Sequence, residues 1–380
     1  MAETITWKRL RELAGFHADQ GCAISLYLNL DPSLSPTSAA VDSRLHSLLA
    51  DGEKSEWAHR GDLGHAQREA LRGDFARIAR FFAEEFDRDG AQGVAVFSAA
   101  LDNFWSALSL AEPVSDRVGV GSDFQLAPLV PLIGRGDGAI VAMVGRERGD
   151  IYRLARGRLE EIADHTEEQP GQHDQGGWSQ ARYQRRIENL VHEHLKTVGE
   201  ELDRRVRRLQ SQRIVLVGPE EMRSSVMGAL SNEARAAVVG WTSAEAHATA
   251  AQLLDVALPL LDEARAVEER EALERWREEA GKNGRASAGW ADTLEAASDG
   301  RIELLLFGVG ADREAWQCPD CGRASLADGT CPLDGTKLEQ RREGIELAVR
   351  QTLAHGGGVW AVRRHHDLEP VEGIGALLRY

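Results

Sequence analysis

AIVAMVGRERGDIYRLARGRLEEI (residues 139–162), SQARYQRRIENLVHEHLKTVGEELDRRVRRL (179–209) and RIVLVG (213–218) follow one another in the middle of the chain. In the first segment, apolar and polar residues alternate around a glycine-containing break at Arg148–Asp150, the pattern of paired strands joined by a turn. In the second, Ile187, Leu190, Val191, Leu195, Val198, Leu202, Val206 and Leu209 recur at helical spacing and hold one face of a long helix. The third is a short apolar run bounded by turn residues, which reads as a buried strand. Together these segments predict an α/β domain over residues 135–253.

Working outward, CAISLYLNL (22–30) and GVAVFSA (93–99) read as strands, and Leu71, Phe75, Ile78, Phe81, Phe82 and Phe86 mark a helix between them. These predict an N-terminal α/β domain, 1–134, that ends in a GRGDG linker. On the other side, a strongly charged helix, a short helix over Trp290–Ala297, the strand IELLLFGV, a cysteine-bearing loop, another helix and the strand GVWAVRR alternate. They predict a C-terminal α/β domain, 254–380. The fold class expected is therefore α/β in three domains, and 380 residues with 42% hydrophobic content suit that number of cores.

The opening MAETITWKRLRELAGF mixes charge into its apolar stretch and reads as an amphipathic helix, and no apolar run approaches the roughly 20 residues that span a bilayer. A cytoplasmic protein without membrane contact is expected. The net charge of -16 argues against a protein that coats nucleic acid, DNA included, through its overall field, so any RNA contact must be a local patch.

Three of the four cysteines fall within fourteen residues, as Cys318-Pro-Asp-Cys321 and Cys331-Pro-Leu-Asp334-Gly. Each half has the knuckle spacing that lets two ligands face one ion, and structural zinc takes four such donors. Asp334 stands where a fourth cysteine is expected; it could instead only cap a turn, with metal absent or the fourth place taken by a histidine such as His355. With no base for an activated water beside it, the site reads as structural zinc.

Asp174-Gln-Gly176-Gly177-Trp178-Ser179-Gln180 leads directly into the long helix. Paired glycines allow backbone conformations and close approaches that other residues block. Arg182, Arg185 and Arg186 lie opposite the helix's apolar face with no acid among them, an arrangement that opposes the helix dipole and points to an anionic partner. Lys196, Arg204 and Arg207 continue the stripe, diluted by Glu193, Glu200 and Asp203. The plainer reading is a flexible loop with Ser179 as N-cap and a solvated charged face. Arg363-Arg364-His365-His366 reads as exposed charge after a strand, and Gly308-Val-Gly310 and Gly356-Gly-Gly358 lack a nucleotide-binding context.

GGWSQARYQRRIE ahead of a long helix resembles the GGQ loop and following helix of class 1 release factors. Ile24-Ser25-Leu26-Tyr27 resembles the first strand of that family's N-terminal domain, Thr293-Leu294-Glu295 through IELLLF its third domain, and Gly373-Ile-Gly-Ala-Leu-Leu-Arg-Tyr380 its GIG-x-LRY ending. The resemblance is to the bacterial branch of the archaeo-eukaryotic peptide release factor superfamily, which also contains Pelota and part of which carries a zinc knuckle in the third domain. It implies a factor that enters the ribosome and contacts rRNA and peptidyl-tRNA, with a translation GTPase or other recruiting partner. Gly176, Gly177 and Gln180 would stand at the ester joining peptide to tRNA, with the glutamine placing water, and Arg182, Arg185 and Arg186 on nearby phosphates. Trp178 and Ser179 displace the glutamine from the glycines, as in the branch that cleaves peptidyl-tRNA on stalled large subunits. Gly52-Glu-Lys-Ser55 is no secure counterpart of the stop-codon element, so rescue rather than termination is expected, or occupancy of the A site in hibernation or stress.

Overall fold

The computed structural model describes residues 3–4, 6–34, 36–59, 61, 63–88, 90–133, 138–155, 157–165, 179–209, 213–282 and 284–380, with the side chains at 3, 4, 179–187 and 209 outside that description. Positions 134–137 of the GRGDG linker and the glycine pair Gly176-Gly177 lie outside the described residues. The chain forms two compact units, Met1–Ile133 with Ala266–Tyr380, and Gly134–Arg265.

The first unit begins with β1 (Glu3–Thr4), α1 (Trp7–Ala14), β2 (Ala23–Asn29), α2 (Ser38–Glu53), α3 (His65–Arg80), β3 (Gly93–Ala99), β4 (Phe104–Leu110) and β5 (Arg117–Gly121). Thr6 and Thr37 start α1 and α2 as N-caps, their hydroxyls accepting from the N–H of Arg9 and Ala40 at 3.2 Å each. The strands form one sheet, β1-β4-β3-β2-β5, antiparallel except where β1 meets β4. The two-residue period of β2 sorts its side chains between two cores: Ile24, Leu26 and Leu28 pack with Phe75 and Ile78 of α3, while Ala23 and Tyr27 face the opposite side with Leu10 and Leu13 of α1.

The second unit holds β6 (Ile140–Val144), β7 (Gly149–Ala155), β8 (Arg158–Asp164), α4 (Ser179–Leu209), β9 (Ile214–Val217), α5 (Arg223–Ala229), α6 (Asn232–Ala237), β10 (Val238–Thr242) and the start of α7 (Ala250–Gly281). Its sheet order is β10-β9-β6-β7-β8, with β6, β9 and β10 parallel and β6, β7 and β8 antiparallel. The hairpin turn expected at Arg148–Asp150 falls a few residues earlier: Gly145 N–H donates to Arg148 O at 2.8 Å and Gly149 already pairs with Val144. The ladder extends until the chain must reverse, which carries Asp150 into the strand opposite Met143. α7 also starts earlier than the charged segment suggests, because Leu253, Ala257 and Leu261 bury its first turns against Val141, Met143 and Val215.

The first unit resumes along α7 and continues with β11 (Ala286–Ala288), α8 (Trp290–Ser298), β12 (Ile302–Gly308), β13 (Ala315–Gln317), β14 (Ala324–Ser325), β15 (Glu339–Arg341), α9 (Gly344–Ala354), β16 (Gly358–Val362) and β17 (Ile374–Leu378). One sheet runs β11-β17-β12-β16, and a small one runs β14-β13-β15. Leu294 and Ala297 of α8 and Ile345, Ala348 and Val349 of α9 join the same apolar core as Leu10, Leu13, Tyr27 and Phe97, so the first and last stretches of the chain share one core. The expected α/β class is observed: mixed helices and sheets throughout. Among the described residues, no helix is long and apolar enough to cross a membrane.

Candidate functional site

The long helix α4 is held by its C-terminal two thirds. Leu195, Val198, Leu202 and Val206 are buried against Ile140, Ala142, Val144, Ile214 and Leu216 of the sheet. Gly199 lets α5 come close: a Cβ there would stand 2.6 Å from the carbonyl oxygen of Ala229. Toward the start of the helix, Leu190 and Val191 are half-buried. Gln180, Arg182, Arg185 and Arg186 lie on its first turns, their side chains outside the described residues.

The farther part of the basic stripe resolves into pairs. Lys196 lies 3.9 Å from Glu200, Arg204 and Arg205 both engage the buried Glu201, and Arg207 lies 3.9 Å from Glu233. These positions are a charge-balanced face, as the plainer reading of the stripe has it. At the helix start, the sequence places no acid between Ser179 and Ile187.

The second candidate is the cysteine-bearing loop. Cys318-Pro-Asp-Cys321-Gly322 and Cys331-Pro-Leu-Asp334-Gly335 adopt the same turn. In each, the glycine has φ +77, a left-handed conformation that glycine adopts without cost. Each glycine N–H donates to the carbonyl of the first cysteine at 2.9 Å, and each first cysteine N–H donates onward, to Arg323 O at 2.8 Å and to Thr336 O at 2.7 Å. Asp334 thus occupies in the second knuckle the place that Cys321 occupies in the first.

The donor atoms of Cys318, Cys321, Cys331 and Asp334 all lie within 4.8 Å of one another and could hold a metal ion; among the described residues, they are the group that could. Cys321 Sγ is 3.5 Å from Cys331 Sγ, and Cys318 Sγ is 3.4 Å from Asp334 Oδ2. With Zn–S bonds of about 2.3 Å, the edge of a zinc tetrahedron is about 3.8 Å, so the group needs only small adjustments to enclose such an ion. The side chain of Asp334 also accepts from the Thr336 N–H at 2.9 Å, which holds its carboxyl below the usual carboxylate range and keeps it ionised. Partial desolvation, and then the neighbouring Cys331, Cys318 and Asp334, push the Cys321 thiol up to about 12; a cation would relieve that crowding of like-charged donors. Trp316 and Leu338 pack beside Cys318 and Cys331 and close the inner side of the cluster.

His355, the alternative fourth donor, is not in this group; its Nδ1 bonds the Gln351 carbonyl at 2.9 Å. At Arg363-Arg364-His365-His366, the N–H groups of Arg363 and Arg364 donate to Glu269 at 3.2 and 3.0 Å, and His366 Nδ1 pairs with Glu369 at 2.6 Å. Those groups are satisfied locally.

A further feature has no counterpart in the sequence motifs. A cavity of about 320 Å³ in the first unit is lined by Trp57, Val118, Gln125, Arg341 and Glu346, among others. Glu346, only 9% exposed, accepts from the N–H groups of Leu126 and Ala127 at 2.7 and 3.0 Å through Oε2, while Oε1 has no partner. Burial raises its pKa against the opposing pull of those N–H groups. The signal that could have found it is a lone acid inside the apolar run GIELAV (344–349).

A family match covers the segment that carries the loop and α4. Residues 125–260 match the profile of bacterial archaeo-eukaryotic release factor family 10. The match is to the bacterial branch of the archaeo-eukaryotic release factor superfamily, as the sequence motifs indicate. The chain is 27% identical over 224 residues to peptide chain release factor subunit 1 of Methanopyrus kandleri, covering 54% of this chain and 52% of that one. Against the same factor of Thermococcus sibiricus, it is 23% identical over 337 residues, 84% of this chain and 79% of the other. The chain therefore spans about half the length of the first of these relatives. Solved structures with which it aligns include an archaeal translation termination factor, aRF1, at 18% identity and a TM-score of 0.28, covering 99% of each chain. A ribosome-bound archaeal Pelota and ABCE1 assembly aligns at 14% identity and a TM-score of 0.42, over 100% of this chain and 95% of the other.

Proposed function

We propose that this chain is a ribosome-associated factor that hydrolyses the peptidyl-tRNA ester in ribosome rescue. The observation that carries the reading is the family match over 125–260, which spans both the glycine pair and the first turns of α4. In this reading, Gly176 and Gly177 let the loop approach the ester closely, and Gln180 positions the attacking water without acting as a base. Arg182, Arg185 and Arg186 neutralise rRNA or tRNA phosphates beside it. Cys318, Cys321, Cys331 and Asp334 hold a structural zinc ion that fixes the two knuckles and takes no part in the hydrolysis. A translation GTPase is the class of partner that would deliver such a factor, given the family it resembles.

A second reading, occupancy of the A site without catalysis during hibernation or stress, is favoured by one observation. α4 begins at Ser179, so Gln180 is the second residue of a helix, with Trp178 and Ser179 between it and the glycine pair. Release of labelled peptide from peptidyl-tRNA held on purified ribosomes separates the two. Loss of release in Gln180→Ala with binding intact supports the hydrolase; tight binding without release by either protein supports the occupancy factor.

A further inference from the structure

We propose that Cys321 and Cys331 are a peroxide-sensitive pair, whose oxidation to a disulfide opens the knuckle and releases its metal. This rests on the zinc reading above and adds a modification site to it.

The three thiols of the cluster are not equivalent. Cys318 and Cys331 are buried, whereas Cys321 is exposed; Cys318 and Cys321 both line a cavity of about 340 Å³ bounded also by His17, Trp57, Asp123 and Arg350. A small oxidant therefore reaches Cys321 first. Its sulfur lies 3.5 Å from that of Cys331 on the other knuckle, about 1.5 Å beyond a disulfide bond length. Cys318 Sγ lies 3.4 Å from the carboxylate of Asp334. Where symmetry between the knuckles would put a fourth thiolate, Asp334 offers a hard oxygen donor, so fewer soft ligands hold the ion.

The chemistry balances with a peroxide as the oxidant. The Cys321 thiolate attacks one peroxide oxygen, the O–O bond breaks, hydroxide leaves and Cys321 becomes a sulfenic acid. The Cys331 thiolate then attacks that sulfur, the S–S bond forms and a second hydroxide leaves. Two thiolates lose two electrons, and the peroxide gains them. Cys318 and Asp334 remain as two donors of the original four, too few for a closed site.

The test uses the full chain loaded with zinc, its metal content first measured by elemental analysis. Hydrogen peroxide is added, released zinc is read with a chelating dye, and disulfides are mapped by mass spectrometry. One zinc released per Cys321–Cys331 disulfide, with the buried Cys22 still reduced, is expected; Cys321→Ser abolishes the cross-link, and Asp334→Cys slows release several-fold. Zinc retained at peroxide levels that oxidise free thiols, or a disulfide joining Cys318 to Cys321, overturns the proposal even if the serine variant fails to fold. A chain that takes up no zinc removes the metal reading and this proposal together, whereas zinc taken up and then retained removes this proposal alone.

Discussion

Asp334 has two roles open to it, and replacing it in two ways separates them. Its side chain accepts from the Thr336 N–H at 2.9 Å, which is a turn cap, and stands 3.4 Å from Cys318 Sγ, which is the position of a ligand. Asp334→Asn keeps an oxygen that can accept from Thr336 and removes the ionised donor; Asp334→Ala removes both. If the carboxylate is the fourth ligand, both variants lower zinc affinity by more than the roughly 10- to 100-fold that removing a supporting hydrogen bond around a metal costs. Asp334→Cys, placed by the shared turn geometry where Cys321 stands in the other knuckle, restores or tightens binding. Competition with a zinc chelator at fixed pH reads all three. Asp334→Asn binding zinc as tightly as the unaltered chain, with only Asp334→Ala weakened, would refute the ligand assignment and leave Asp334 as a cap.

Leu202, 0% exposed on the anchored face of α4, should cost about 2–5 kcal/mol when changed to Ala, lowering the melting temperature of its unit by roughly 6–15 °C in calorimetry, while Lys196→Ala on the exposed face leaves it nearly unchanged. Equal effects from the two would mean that α4 is not held by that face. Reversing Arg182, Arg185 and Arg186 to Glu should weaken ribosome binding and flatten its logarithmic salt dependence by about 0.7–0.9 for each phosphate no longer neutralised; an unchanged slope excludes the patch. Glu346 binds its proton more tightly folded than unfolded, so its protonated form stabilises the fold fully below the ordinary carboxylate value of about 4.3, and that contribution is lost as pH rises through the raised folded value. Glu346→Gln should therefore melt progressively higher relative to the unaltered chain as pH rises across that window, and a difference independent of pH would count against the assignment.

What the sequence determined by itself is local. The helical period of Leu195, Val198, Leu202 and Val206 marks the buried face of α4, because a side chain's direction follows from its place in a regular element. The two knuckles were legible for the same reason, since two-residue ligand spacing and a following glycine set their own turn. Tertiary structure alone decided matters that depend on residues far apart in the chain. It left His355 out of the group formed by the three thiols and Asp334, and it paired Arg207 with Glu233. It also set the partners of Glu346, some 220 residues away, and joined the two ends of the chain in one core. No period or spacing encodes such meetings; they arise when apolar faces are buried together, and the polar groups carried in with them must find partners where the packing leaves them.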